Sequence, residues 1–471
     1  MSDTSIPWLS ATELIAAYRA RAISPVEVTE ALLARIQRLN PTINAFTDIT
    51  ADLALQQARA AAEAYGNGTA GLLAGVPVTI KDVAFTKGIR TARGSKIYAD
   101  AVPEFDSPVV ARTLEAGAVL LGKTTTPEFG WKGETSSPLT GATRNPWNLD
   151  RTPGGSSGGA AACVAAGIGP IGHGSDGAGS IRIPAAFSGV FGIKSTIGLV
   201  PIYPASAIAD LAVHGPLTRT VADAALYLNA TAGYDPRDRI SWSSGIDYLA
   251  ALDDLDLSGL RIAWSSDLGF AAIEPEVQQI ATEAAGVFTE LGSHVVADHP
   301  ELPDPWPIEN VLWMAAMAGS RMDDFESVRD IMDPGLAAVI DEGRTLTGAE
   351  VGHARIQQNS YAASWAMFME NYDLLITPTL PCTAFPVGQD QPGSINGTPT
   401  GYLSWTAFTY PFNLAGLPAA TVPCGFAADG LPVGLQIVGR LKQDDLVLRA
   451  AAAFEKARPW AQLRPPVDPI T

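Results

Sequence analysis

Pro153-Gly154-Gly155-Ser156-Ser157-Gly158-Gly159, followed later by Asp176-Gly177-Ala178-Gly179-Ser180-Ile181-Arg182, is the stretch on which the reading of this 471-residue chain turns. Residues 152–192 are richer in glycine and serine than any other region, and Ser180 lies 24 residues after Ser156. Glycine has no Cβ, so successive backbone N–H groups in such a turn can converge on one point. Converging donors are what an oxyanion hole or a phosphate cradle is made of. A serine in the same turn is placed where its oxygen and those donors can face one substrate carbonyl.

On either side of this stretch the pattern is that of short strands between helices. Val76-Pro77-Val78-Thr79-Ile80-Lys81 reads as a strand with a lysine at its end, and residues 118–121 as another, ending at Gly122-Lys123. Further strand candidates are residues 260–264, 295–296, 374–376, 421–422 and 435–438. Residues 10–65 read as helical. Ser10 with Glu13, and Ser24 with Glu27 behind Pro25, have the capping-box spacing, and Val28, Leu32, Leu33, Ile36 and Leu39 mark one apolar face. A helix is expected from Thr220 with Asp223 as its capping partner, and others over 277–291 and 446–454. The alternation predicts an α/β fold: a single large domain with a central mixed, twisted β-sheet covered by helices on both faces. No linker and no internal repeat divides the chain.

Composition narrows the function. With 49 acidic and 31 basic residues the formal charge is −18, which disfavours nucleic acid and anionic membrane surfaces as partners. Cys163, Cys382 and Cys424 are odd in number and widely spaced, giving neither a disulfide framework nor a zinc site. The opening residues Met-Ser-Asp-Thr-Ser-Ile-Pro-Trp carry no basic and then apolar signal, and the small-apolar run over 160–171 is too short to span a bilayer. The expectation is a cytoplasmic enzyme, monomer or homodimer, acting on a small molecule without a metal or cofactor.

A serine hydroxyl attacks only when a base takes its proton. The chain has five histidines for that work, among them His173 beside the glycine-rich turn. A lysine can replace histidine where burial disfavours the ammonium form, and Lys81 ends an apolar strand. Spacing alone leaves Lys81 an ordinary strand-end lysine. Gly154-Gly155-Ser156-Ser157-Gly158 also satisfies the G-x-S-x-G nucleophile elbow, so an esterase of α/β-hydrolase type using Ser156 stays open at this point.

These segments together resemble the amidase signature family. The likeness runs from Gly75-Val76-Pro77-Val78-Thr79-Ile80-Lys81-Asp82 through Gly122-Lys123-Thr124, Thr143-Arg144-Asn145-Pro146-Trp147-Asn148 and the glycine-serine segment itself. It continues through Gly215-Pro216-Leu217-Thr218-Arg219 and Pro411-Phe412-Asn413-Leu414-Ala415-Gly416-Leu417-Pro418 to Gly434-Leu435-Gln436-Ile437-Val438-Gly439. The resemblance implies a Ser–cis-Ser–Lys triad, with Ser180 as nucleophile, Ser156 as the bridging serine and Lys81 as base. It implies an oxyanion hole from the backbone N–H groups of Gly177, Ala178, Gly179 and Ser180, supported by Ser157, Asp176 and Arg182. It also implies one amidase domain over 1–471: a helical region over 1–70, the catalytic core over 75–220, a variable substrate-side region over 221–410 and a return to the sheet over 411–471.

The chain departs from the family pattern in the turn itself. Many members read Asp-Thr-Gly-Gly-Ser or Asp-Ile-Gly-Gly-Ser where Asp176-Gly177-Ala178-Gly179-Ser180 stands here. Relatives that release ammonia from glutamine carry a threonine and a glutamine where this chain has Gly177 and Ile183, which argues against a glutamine pocket. Trp131, Trp313, Met317, Tyr402 and Trp405 are expected to line the substrate pocket, favouring a hydrophobic or aryl amide with possible ester or carbamate side activity. The rival implied by the same resemblance is an A-type subunit of a glutamine-dependent amidotransferase. His173 is expected to be structural, since the relay needs no imidazole.

Overall fold

The two capping boxes near the N-terminus form as expected in the computed structural model, which describes residues 6–467. Residues 1–5, part of the stretch read for a secretory signal, lie outside the described residues. Ser10 and Ser24 each accept from the backbone of the glutamate three residues on, opening helices Ala11–Arg19 and Pro25–Ile43. The helical expectation over 10–65 needs one correction. After Asn44 turns the chain in the left-handed conformation, Phe46–Ile49 forms a strand, and helix Ala51–Asn67 follows.

That strand, β1, is the edge of a sheet of eleven. The others in chain order are β2 Pro77–Lys81, β3 Val119–Thr124, β4 Ile171–Asp176, β5 Phe191–Lys194, β6 Val213–Thr218 and β7 Arg261–Trp264. The set is completed by β8 His294–Ala297, β9 Leu374–Pro378, β10 Ala419–Phe426 and β11 Pro432–Gly439. Their spatial order is β1-β3-β2-β4-β6-β5-β10-β11-β9-β7-β8. β3, β2 and β4 run parallel to their neighbours in that trio, as do β9, β7 and β8, while the strands between are antiparallel. The sheet is therefore mixed, as the sequence implies.

Alternating side chains show that both faces are covered. Leu374 and Ile376 join a core with helices Pro108–Glu115, Val221–Thr231, Pro275–Glu290 and Asp444–Ala457, whereas Leu375 faces a second core containing Tyr361, Trp365 and Phe412. At the other end Leu120 belongs to the first core, and Val119 and Leu121 pack with the N-terminal helices. The helix expected at Thr220 starts there, its hydroxyl accepting from the Asp223 N–H. Among the described residues, no helix is long and apolar enough to cross a membrane.

Candidate active site

Lys81 is the last residue of β2, and Ser175 and Asp176 end the neighbouring parallel strand β4. The carboxyl ends of parallel strands are where α/β sheets present chemistry, because the loops that follow them diverge and leave a crevice. Ser180 sits in the turn between β4 and helix Arg182–Ser188, and Ser156 in the turn before helix Gly158–Ala165. Lys81 is thus brought within hydrogen-bonding distance of Ser156 and Ser175, and Ser180 borders the same cavity as those two serines.

The Lys81 side chain is fully buried, and its Nζ donates to Ser156 Oγ at 2.7 Å and to Ser175 Oγ at 3.0 Å. Burial pushes its ammonium down to about 7, against an opposing pull from the Asp176 carboxylate. At neutral pH a large share of Lys81 is therefore the free amine, able to accept a proton. The strand-end lysine is not solvent-exposed: its Nζ is taken by Ser156 and Ser175, and the loop after β2 is itself held in place. Buried Lys123 on β3 ties that loop down, donating to the Ala84 carbonyl at 2.7 Å and to Thr91 Oγ1 at 2.7 Å.

The Gly155–Ser156 peptide bond is cis. Gly155 has no room for a side chain, since a Cβ there would stand 2.5 Å from the Glu134 carbonyl oxygen. Ser157 does not reach Lys81; it bonds the backbone of Ser175, accepting from its N–H at 3.3 Å and donating to its carbonyl at 3.1 Å. The Ser157 N–H donates to the Ser180 carbonyl at 3.1 Å, so the two serine turns are stitched together. Ser175 is a contact that sequence reading missed. It stands one residue before the quoted Asp176–Arg182 stretch, and nothing in its spacing separates it from the other serines.

Asp176 is fully buried and organises the turn. Its carboxylate accepts from the N–H groups of Gly179 at 2.8 Å and Ile181 at 3.1 Å, and from Asn413 Nδ2 at 2.9 Å. Arg182 Nε and Nη2 grip it at 3.0 Å each. Burial alone would raise this carboxyl, but Arg182 and these donors hold it well below the usual carboxylate range. Arg182 spends its remaining donors on the Thr409 carbonyl, Gln436 Oε1 and Asn413 Oδ1.

This geometry corrects the expected oxyanion hole. The Gly179 N–H is engaged by Asp176, whereas the N–H groups of Gly177, Ala178 and Ser180 have no hydrogen-bond partner among the described residues. Gly179 instead serves the turn's shape, with φ at +128° and a Cβ position only 2.4 Å from Thr409 Oγ1.

Ser156, Ser175, Gly177 and Ser180 border a cavity of about 760 Å³, whose walls include Phe85, Phe129, Ile208, Trp313 and Met317. Of the five predicted pocket residues, the structure brings only Trp313 and Met317 to it. Trp131, Tyr402 and Trp405 are not in its lining, which is a correction. Trp405 is buried edge-on to Phe385 at 5.4 Å and parallel to Phe187 at 6.1 Å. Trp131 stacks on Tyr402 at 5.4 Å, and the Tyr402 hydroxyl donates to the Trp131 carbonyl and accepts from Trp313 Nε1 at 2.9 Å. Tyr402, with Trp131 stacked on it, backs the wall that Trp313 forms. Ile183 likewise packs into the apolar cluster with Phe187 and Trp405 and does not line the cavity.

Histidine plays no part in the serine contacts. His214 borders the cavity, and its Nδ1 lies 2.9 Å from His173 Nε2. Burial and then the neighbouring Lys81 push His214 down to about 4, so the imidazole is neutral at physiological pH. No imidazole is hydrogen-bonded to Ser156 or Ser180 among the described residues, which removes the basis for a nucleophile elbow at Ser156. Nor do the described residues contain a group of three His, Cys, Asp or Glu side chains placed to hold a metal ion.

The sequence and structure have close counterparts. A family model described as Amidase matches residues 27–448. An acylamidase of Rhodococcus erythropolis is 42% identical over 99% of this chain and 98% of its own. One component of the glutamyl-tRNA(Gln) amidotransferase of Roseiflexus sp. (strain RS-1) is 39% identical over 93% of this chain and 94% of its own. The crystal structure of a bacterial aryl acylamidase of the amidase signature family superposes with a TM-score of 0.90 at 35% identity, covering 97% of both chains. With a model match over most of its length and relatives aligned nearly end to end, this chain belongs to the amidase family, the amidase signature enzymes that hydrolyse amides.

Proposed function

We propose that the protein is a stand-alone hydrolase of hydrophobic or aryl amides that works through an acyl-enzyme on Ser180. The observation that carries this reading is the buried Lys81, partly neutral near pH 7, hydrogen-bonded to Ser156, which borders a mainly apolar cavity. Ser180 Oγ attacks the amide carbonyl while its proton passes to Ser156 and the Ser156 proton passes to Lys81 Nζ. The oxyanion takes up the free N–H groups of Gly177, Ala178 and Ser180, and each such donor is worth about 3–4 kcal/mol in comparable sites. The relay then runs backward, delivering a proton to the departing amine as the C–N bond breaks. Water, deprotonated along the same route, releases the acid.

The amidotransferase reading is less well supported. Trp313 stands where a Cβ on Gly177 would come within 3.0 Å, so an aromatic ring presses on the turn in place of polar groups that would read a glutamine side chain. The test is an activity panel of anilides, aliphatic amides, esters and glutamine on the purified chain and on Ser180→Ala. Anilides are expected to be cleaved faster than glutamine, with all turnover lost in the variant. Glutamine as the best substrate, or activity that survives Ser180→Ala, overturns the reading.

A further inference from the structure

The cavity carries a charge opposite to that of the whole protein. The chain is formally −18, yet the ionisable side chains bordering the cavity include three arginines, Arg93, Arg321 and Arg355, and a single carboxylate, Asp176. Asp176 is already held by Arg182, and Arg355 is paired with Asp210 at 2.7 Å. Arg321 has Asp324 at 3.4 Å and donates to the Tyr98 hydroxyl at 3.0 Å. Arg93 has no carboxylate within ion-pair distance among the described residues.

The two remaining guanidiniums share their supports. Arg93 lies 3.6 Å from the Tyr98 ring centroid and 5.3 Å from that of Phe129; Arg321 lies 5.5 and 5.2 Å from the same two rings. Ring faces stabilise cations and hold the planar groups in place, but they do not neutralise them. Two half-buried like charges, one with only the more distant Asp82 carboxylate to offset it, are unfavourable together until an anion joins them. The guanidinium fork matches a carboxylate in shape as well as charge.

We propose that Arg93 and Arg321 form a carboxylate subsite of the catalytic cavity, selecting amides that carry a carboxylate beyond an apolar body. This rests on the proposed amidase reading and specifies its substrate class. The apolar body packs against Phe129, Trp313 and Met317, and the carboxylate meets the two arginines.

Two isosteric pairs of probes test it. Glutaric acid monoanilide against 5-methylhexananilide places the charge on the acyl side, and 4-acetamidobenzoate against 4-isopropylacetanilide places it on the amine side. One acid is expected to be hydrolysed with kcat/KM about ten- to a hundredfold above its neutral isostere, the scale of a hydrogen bond to a charged group. That ratio should fall to about one in Arg93→Met and in Arg321→Met, and be partly kept in Arg93→Lys. Because each ratio is taken within one protein, partial misfolding of a variant cancels. A ratio at or below one for both pairs in the wild type, or one unmoved by both methionine variants, overturns the proposal. Calorimetric binding of the four probes to Ser180→Ala reads the subsite without turnover. Preferential binding of an acid there, with no hydrolysis by the wild type, would overturn the amidase reading and leave the subsite standing; equal binding of acid and isostere overturns the subsite.

Discussion

If Lys81 is the terminal proton acceptor, hydrolysis must follow the fraction of Lys81 that is neutral. Burial places its titration at about 7, so about one-tenth is neutral at pH 6 and about nine-tenths at pH 8. The expected result is a kcat/KM for a non-titrating anilide that rises about tenfold between those values, then levels off. The sign can be checked with Ser175→Ala. Ser175 Oγ accepts from Nζ at 3.0 Å and so favours the ammonium form; removing it disfavours that form and lowers the titration point. A hydrogen bond to a charged group is worth about 1.5–3 kcal/mol, so the rising limb should move at least about one unit toward lower pH. The assay is initial-rate kinetics from pH 5 to 9 on both proteins. A flat profile, or a limb that moves to higher pH in Ser175→Ala, would refute the assignment of Lys81.

Other substitutions address the scaffold. Arg182→Met strands the buried Asp176 charge and should cost about 3–5 kcal/mol in urea unfolding, the scale for breaking a buried ion pair. Trp313→Ala should raise KM for an anilide, because Trp313 lines the cavity; Trp405→Ala should instead lose about 3–5 kcal/mol of stability and leave the order of substrate preference intact. Gly155→Ala should abolish activity, since its Cβ would collide with the Glu134 backbone; full activity in that variant would contradict the tight packing of the serine turn.

Where the chain obeys a period, its structure was legible. Apolar runs such as those around Ile376 and Ile437 gave their strands, and the serine-glutamate spacings gave helix starts to the residue. Strands β4, β5 and β6 were not anticipated. β4 reads Ile-Gly-His-Gly-Ser-Asp and offers no apolar alternation, because its neighbours approach too closely for side chains: a Cβ at Gly174 would meet Leu217 at 2.7 Å. Helix Gly348–Met369 was also missed, since its apolar residues are spread around the axis and only Ala354, Tyr361, Trp365 and a few others are buried. At the site, the glycine-serine motifs pointed to Lys81, Ser156 and Ser180 only through family likeness, for no local spacing predicts that a strand end and two turns meet. Trp131, Tyr402 and Trp405 were misplaced because an aromatic in a wall and one behind it look alike in sequence.

The order of strands also bears on how the protein is made. β10 and β11 form a hairpin from residues near the C-terminus, yet they sit in the middle of the sheet, with β5 on one side and β9 on the other. Until that hairpin emerges from the ribosome, the six strands drawn from residues 46–218 and the three from 261–378 are two separate half-sheets. Arg182 waits on the same event, for its partners Thr409, Asn413 and Gln436 lie in or beside that last segment. The serine turn is therefore completed only once that hairpin has been made, and no fragment that stops short of it holds the full set of contacts around Asp176.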